Sequence, residues 1–216
     1  MSIKNIINKV KDEVTKEVKV LQGEETKDKL HTHEHEYPTE AAAVKEFEEA
    51  KRKLFDVNLW SHLEGINSTF ELYDPYGHKT DTTHPEVGYF IKITLPGGLE
   101  NWVKITAIHV EDALAEFTVH PSEKPEERNK GEKVIEHFFI KEASSTFRVE
   151  RRGTKLIGYE IGLNEGINNQ GEEAGDRALL NTLTAEGGWA GVQALQWNKL
   201  VYYFVHPEEA RSLDTK

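Results

Sequence analysis

The sequence predicts an α+β protein: an antiparallel β-meander of six to seven strands, either a curved sheet or a partial barrel, covered by a C-terminal helix and preceded by two N-terminal helices. Three observations predict it. The hydrophobic period changes from 3.6 to 2 near residue 69 and holds to about residue 163. The alternating segments are joined mostly by tight turns, and short connections force neighbouring strands antiparallel. A helical period then returns over 189–205, where two Trp and a YYF end supply the apolar face that such a sheet needs as cover.

Residues 2–21 place Ile3, Ile7, Val10, Val14, Val18 and Leu21 at steps of three and four, the stripe of an amphipathic helix. Its β-branched content lowers intrinsic propensity, so a surface must hold it. Residues 1–22 are therefore read as a helical arm. Residues 23–40 carry Gly23, Pro38 and many charges with almost no apolar residue, and read as a polar, His-rich linker. A single α+β domain is expected over 41–206. It opens with a helix over 41–63, capped by Thr39, with Val44, Phe47, Leu54 and Phe55 facing in and Glu46, Glu49, Arg52 and Lys53 facing out.

The strands follow in order. TFELY at 69–73 comes first. Residues 86–95 put Val87, Tyr89, Ile91, Ile93 and Leu95 on one face, and 101–110 alternate again up to a tight turn at Glu111–Asp112. Residues 113–120 make the next strand, and a charged loop over 121–132 leads to an apolar strand at 133–141. Residues 145–150 and 155–163 form a hairpin around Arg152–Gly153. In it Phe147 and Val149 oppose Arg148 and Glu150, and Ile157, Tyr159 and Ile161 oppose Gly158 and Glu160. A glycine-rich loop over 164–175 precedes Asp176, an N-cap for RALLNTLTAE. Gly187–Gly188 interrupts, and a helix over 189–205 carries Trp189, Val192, Gln196, Leu200 and Tyr203 on one stripe. Residues 207–216 are expected to be a flexible tail.

Bulk composition narrows the function. The chain has 216 residues, with 27 Lys plus Arg against 38 Asp plus Glu and a formal net charge of −11. That charge opposes a nucleic-acid backbone and an anionic membrane surface, so neither is expected as a partner. There is no cysteine, hence no thiolate chemistry and a composition that fits a reducing compartment. The N-terminus lacks the apolar core of a signal peptide, and no run reaches the ~18 apolar residues of a membrane helix. A cytoplasmic protein is the expectation.

The stretch LHTHEHEYP raises the sharpest chemical question, because His31, His33 and His35 recur at every second position. Three imidazoles can hold Zn(II), Ni(II) or Cu(II), and an extended backbone throws all three to one side. Catalytic histidine sets hang on a buried strand and need partners that fix tautomer and orientation. The preceding EETKDKL has no apolar run to supply either, so the stretch reads as a linker first and a loose chelator second. No catalytic set is found: LPGGLEN has no helix after it, and Ser144–Ser145 lacks a GxSxG setting.

A cavity between sheet and terminal helix is the other candidate site. Tyr89, Phe139, Tyr159 and Trp197 are expected to line it. His109 shares a strand face with Val103, Ile105 and Ala107, and His137 lies between Ile135 and Phe139, so both are candidate polar groups at its mouth. The leading expectation is a non-enzymatic protein-interaction module that docks an unknown protein partner, or self-associates, through its arm. A binder of a small apolar ligand is the alternative, and a metal-dependent hydrolase built on the histidines the second alternative. No cofactor is expected. Deleting residues 1–22 should leave the domain folded while changing its assembly, which native mass spectrometry and a urea titration of the truncated chain would check; unfolding on truncation would assign the arm to the core.

Overall fold

Residues 27–98, 100–125, 142–165 and 189–207 are described in the structure, a computed structural model. Within them seven strands form one antiparallel sheet: β1 (Lys27–Glu36), β2 (Thr69–Tyr73), β3 (Phe90–Thr94), β4 (Glu100–Glu111), β5 (Leu114–Pro121), β6 (Ser144–Arg152) and β7 (Lys155–Glu165). Helix α1 (Glu40–Phe55) and a 3-10 helix (Val57–His62) connect β1 to β2, and helix α2 (Trp189–Val205) follows β7. The spatial order is β1-β7-β6-β5-β4-β3-β2, with each neighbouring pair antiparallel. Strands β2 to β7 form an antiparallel meander in chain order, with β5 paired directly to β6 where a further strand was expected between them, and the fold is α+β with a C-terminal helix. The arm over 1–22, the segment 133–141, the helix expected after Asp176 and the tail from 208 lie outside the described residues.

The linker expected over 23–40 is corrected for residues 27–36, which pair with β7 along their length, from Lys27 opposite Glu165 to Glu36 opposite Lys155. The stretch does alternate, but with imidazole where an aliphatic side chain would announce a strand. His31, His33 and His35 face inward and half-buried, while Thr32, Glu34 and Glu36 face solvent. His33 meets Tyr202 edge-on with centroids 5.4 Å apart, and His35 meets Tyr37 at 4.6 Å. Aromatic edge-to-face packing gives these rings the burial energy that an apolar residue would otherwise provide.

Helix α1 begins as expected, with Thr39 Oγ1 accepting from the Ala42 amide at 3.2 Å. It ends at Phe55 rather than running to 63, and Ala43, Phe47, Ala50 and Leu54 are buried. Lys53 corrects the expected outward face: it is 2% exposed. Its Nζ donates to the carbonyls of Tyr203 and His206 at 2.9 and 2.8 Å, answering backbone groups that the end of α2 leaves open. Tyr37 Oη donates to the carbonyl of Val205 at 2.9 Å, and burial, with Glu46 nearby, pushes its hydroxyl up to about 12. Two side chains from outside α2 therefore pin its last turn.

The 3-10 helix protects the edge of the sheet. Ser61 Oγ accepts from the Phe70 amide and donates to the Phe70 carbonyl, and Asn58 Oδ1 accepts from the Leu72 amide. These contacts occupy polar groups that an edge strand would otherwise present to another chain. Trp60, held by its Nε1–H donating to the Lys53 carbonyl at 2.9 Å, stacks against Phe117 and packs on Phe70, Phe147 and Phe204.

Helix α2 lies against the sheet, with Leu200, Val201, Tyr203, Phe204 and Val205 almost fully buried. Its approach to β7 sets the facing of that strand. A Cβ added at Gly158 would sit 2.7 Å from the Val201 carbonyl oxygen and 3.3 Å from Val205 Cγ1. Only glycine admits the helix backbone this closely. Leu156, Gly158 and Glu160 consequently face α2, and the expected inward set of Ile157, Tyr159 and Ile161 is reversed. Beneath the helix, His31 Nε2 lies 4.0 Å from Glu160 Oε2, and His31 Nδ1 is 3.4 Å from Asn198 Oδ1.

Two expected outcomes follow from this packing. Gly158→Ala should destabilise the fold by about 1–3 kcal/mol, since the helix must shift or the strand must bend; urea midpoints at constant m-value would measure it. The second concerns pH. Burial holds the His31 imidazole below its ordinary value and outweighs the Asn198 hydrogen bond, with Lys29 adding to the depression. The unfolded chain then binds the extra proton first, so this contribution is full above about pH 6.5 and is lost as pH falls through the folded value. The stability difference between the wild type and His31→Gln should be flat above about pH 7 and should shift against the wild type as pH falls below about 6.5. A difference that stays constant across that range would show that His31 binds its proton equally well in both states.

Candidate functional site

The residues singled out in the sequence do not come together as one site. Tyr89 precedes β3 and packs, half-buried, at the edge of the core. His109 lies on the outer face, exposed, with Nε2 2.7 Å from Glu111 Oε1. The cause is a bulge between Ile105 and Ala107. One extra residue there inverts the alternation, so Val103 and Ile105 point inward while Ala107 and His109 point out. Tyr159 lies on the convex face, 6.0 Å from the Arg148 guanidinium carbon, and burial followed by Glu150 raises its hydroxyl. His137 and Phe139 fall outside the described residues. Trp197 alone stands where the expected cavity required it.

His31, His33 and His35 do share a face: His31 meets Asn198, His33 meets Tyr202, His35 meets Tyr37, and the last two histidines also meet His206. Alternate residues of one strand stand about 6.5–7 Å apart. Ligand nitrogens on one ion sit about 2.0–2.1 Å from it, which demands rings converging rather than parallel. Among the described residues no group of three His, Asp or Glu side chains is placed to hold a metal ion.

The sheet and α2 do enclose a pocket, beside Trp197 midway along the helix and two turns before the Lys53 and Tyr37 locks. Its floor is the concave face: Phe70, Ile91, Val103, Val119 and Phe147. Trp60 closes one side and Trp197, on α2, forms the roof. Trp197 is seated by an edge-on contact with Phe147 at 5.4 Å and a tilted one with Phe70 at 6.2 Å. The mouth opens among Ile93, Pro121, Ser144 and Ser145, all half-buried. The free volume is about 40 Å³. One water occupies ~10–15 Å³ by this measure, whereas pockets for drug-sized ligands run to ~300–1,000 Å³. By that measure the space holds about three waters, so it admits the end of a short chain or one edge of a small ring, with the remainder lying in the mouth.

Besides Ser144 and Ser145 at the mouth, two buried polar side chains interrupt this apolar lining. Asn101, the first inward residue of β4, stands opposite Ile93 and is 6% exposed. Trp197 is 9% exposed, lines the same pocket, and has its indole N–H buried. Sequence reasoning missed Asn101, although its signal was legible: it heads the inward series Asn101, Val103, Ile105, where an apolar residue is expected.

No family model matches the chain, and no curated protein matches it. Solved structures resemble it at low identity. A hypothetical protein, jhp0584 from Helicobacter pylori, is 13% identical with a TM-score of 0.51, covering 86% of this chain and 92% of its own. XoxI from Bacillus cereus is 13% identical with a TM-score of 0.43, over 82% of this chain and 94% of its own. Norcoclaurine synthase from Thalictrum flavum is 14% identical with a TM-score of 0.40, over 91% of this chain and 92% of its own. The Helicobacter pylori likeness extends to the fold alone. No helix of the described residues is long and apolar enough to cross a membrane.

Proposed function

We propose that this protein binds a small, mainly apolar molecule in the pocket between the concave sheet and α2. The observation that carries this reading is the pocket's construction: aromatic and aliphatic walls from β2 to β6, an indole roof, and a half-buried mouth. Such a lining releases ordered water from apolar surface when a ligand enters, and the driving force scales with the area covered. The leading expectation, an interaction module acting through its N-terminal arm, rests on residues 1–22, which the structure does not describe. It stands as a separate proposal that the pocket neither needs nor opposes.

The ligand-binding reading has a measurable size. Covering roughly 150 Å² of apolar ring at ~25 cal/mol per Å² yields about 4 kcal/mol, a dissociation constant on the order of 1 mM before any polar contact. Toluene is the direct probe. It should move the methyl resonances of Ile91, Ile93, Val103 and Val119, and Ser145→Phe, which fills the mouth, should weaken binding at least about tenfold. Shifts confined instead to Ile161 and Leu163, on the convex face, would place any affinity outside the pocket and sink the proposal.

A further inference from the structure

Asn101 and Trp197 leave their polar atoms without hydrogen-bond partners in the described structure: Asn101 Oδ1, an acceptor, and Trp197 Nε1–H, a donor. Both residues are more than nine-tenths buried, they reach the pocket from opposite layers, and they line the same space. A buried polar atom without a partner is costly, so a group that answers both atoms gains more here than it would in water. The chemistry of that group is constrained. A carboxylate only accepts and would set negative charge against Asn101 Oδ1. An ammonium only donates and leaves the indole unanswered. A carbonyl satisfies the indole alone. A hydroxyl both donates and accepts, and it is the smallest neutral group that does so.

We infer that the ligand of this pocket is a small neutral alcohol or phenol whose hydroxyl donates to Asn101 Oδ1 and accepts from Trp197 Nε1–H, with its ring or chain against Phe70, Val103 and Phe147. The inference rests on the ligand-binding reading above and names the class of molecule that reading leaves open. The other occupant of the two polar atoms is an ordered water, which would satisfy them without selecting any ligand.

Phenol and toluene test it, because they differ by a hydroxyl in place of a methyl of similar size. Dissociation constants for both are measured by NMR titration on the full chain, on Asn101→Leu and on Trp197→Phe. In the wild type, phenol should move the Trp197 indole N–H resonance downfield and toluene should not. The ratio of phenol affinity to toluene affinity should fall about tenfold in each variant, as expected when a buried hydrogen-bonding group is removed from one side of a contact. Asn101→Leu should also hold or raise the thermal midpoint of the empty protein, because an unanswered acceptor is replaced by an apolar side chain of similar shape. If both compounds bind and the ratio is unchanged in both variants, with Asn101→Leu less stable than wild type, the water occupies the site and the hydroxyl inference is overturned while the apolar pocket stands. If neither compound binds the wild type, both readings fail.

Discussion

The contact on which the rest depends is the one between β7 and the backbone of α2 at Gly158. With no side chain at that position, the Val201 carbonyl comes within a distance that a Cβ would forbid. That single vacancy fixes the depth of the helix in the sheet. It forces Leu156 and Glu160 to face the helix with Gly158, and it sets the facing of β1, whose His31 and His33 lie opposite Glu160 and Gly158. The last turn of the helix is then held from two directions, by Lys53 from α1 and Tyr37 from the end of β1. Trp197, midway along the helix, packs on Phe70 and Phe147 and roofs the pocket from there.

The pocket and the core are one body of aromatic contacts. Trp60 touches Phe70, Phe117, Phe147 and Phe204, and Phe70 and Phe147 in turn seat Trp197. A molecule covering Phe70 and Phe147 would therefore contact the side chains that hold the two helical layers against the sheet. Binding to the native state alone stabilises it by mass action. In this molecule that linkage would act directly on the central cluster rather than through a distant loop, which gives occupancy of the pocket a structural consequence even without a large rearrangement.

The meander was legible because its strands obey the simplest rule, alternation between short turns. Phe147 and Val149 face in and Arg148 and Glu150 face out, as their order in the chain implies. Three departures were hidden, each for a physical reason. Strand β1 carries imidazoles at its inward positions, and their burial depends on Tyr202 and His206, far away in the sequence, as well as on neighbouring Tyr37. The bulge at Thr106 lies inside an unbroken apolar-polar rhythm, so nothing local marks the point where His109 changes sides. Strand β7 reads naturally with Ile157, Tyr159 and Ile161 inward, and only the proximity of a helix more than thirty residues later makes glycine the inward choice. Trp197 was found because a helical stripe announces it; Asn101 was missed because one amide at the head of a strand resembles a polar end.

Asn101 is also where stability and selectivity part. An inward position on β4, between the floor of the pocket and its mouth, would contribute most to folding as Val or Leu, as the next inward residues Val103 and Ile105 do. An amide there without a partner costs roughly 1–3 kcal/mol in desolvation, and the Trp197 indole facing the same space adds a cost of the same kind. Packing alone accounts for Phe147 and Val119 but gives no reason for either polar atom. A third group reaching both would give their positions a reason, and the same desolvation that burdens the empty pocket would become the discrimination of the filled one: an occupant that answers both atoms removes the penalty, and an apolar occupant of equal size seals it in.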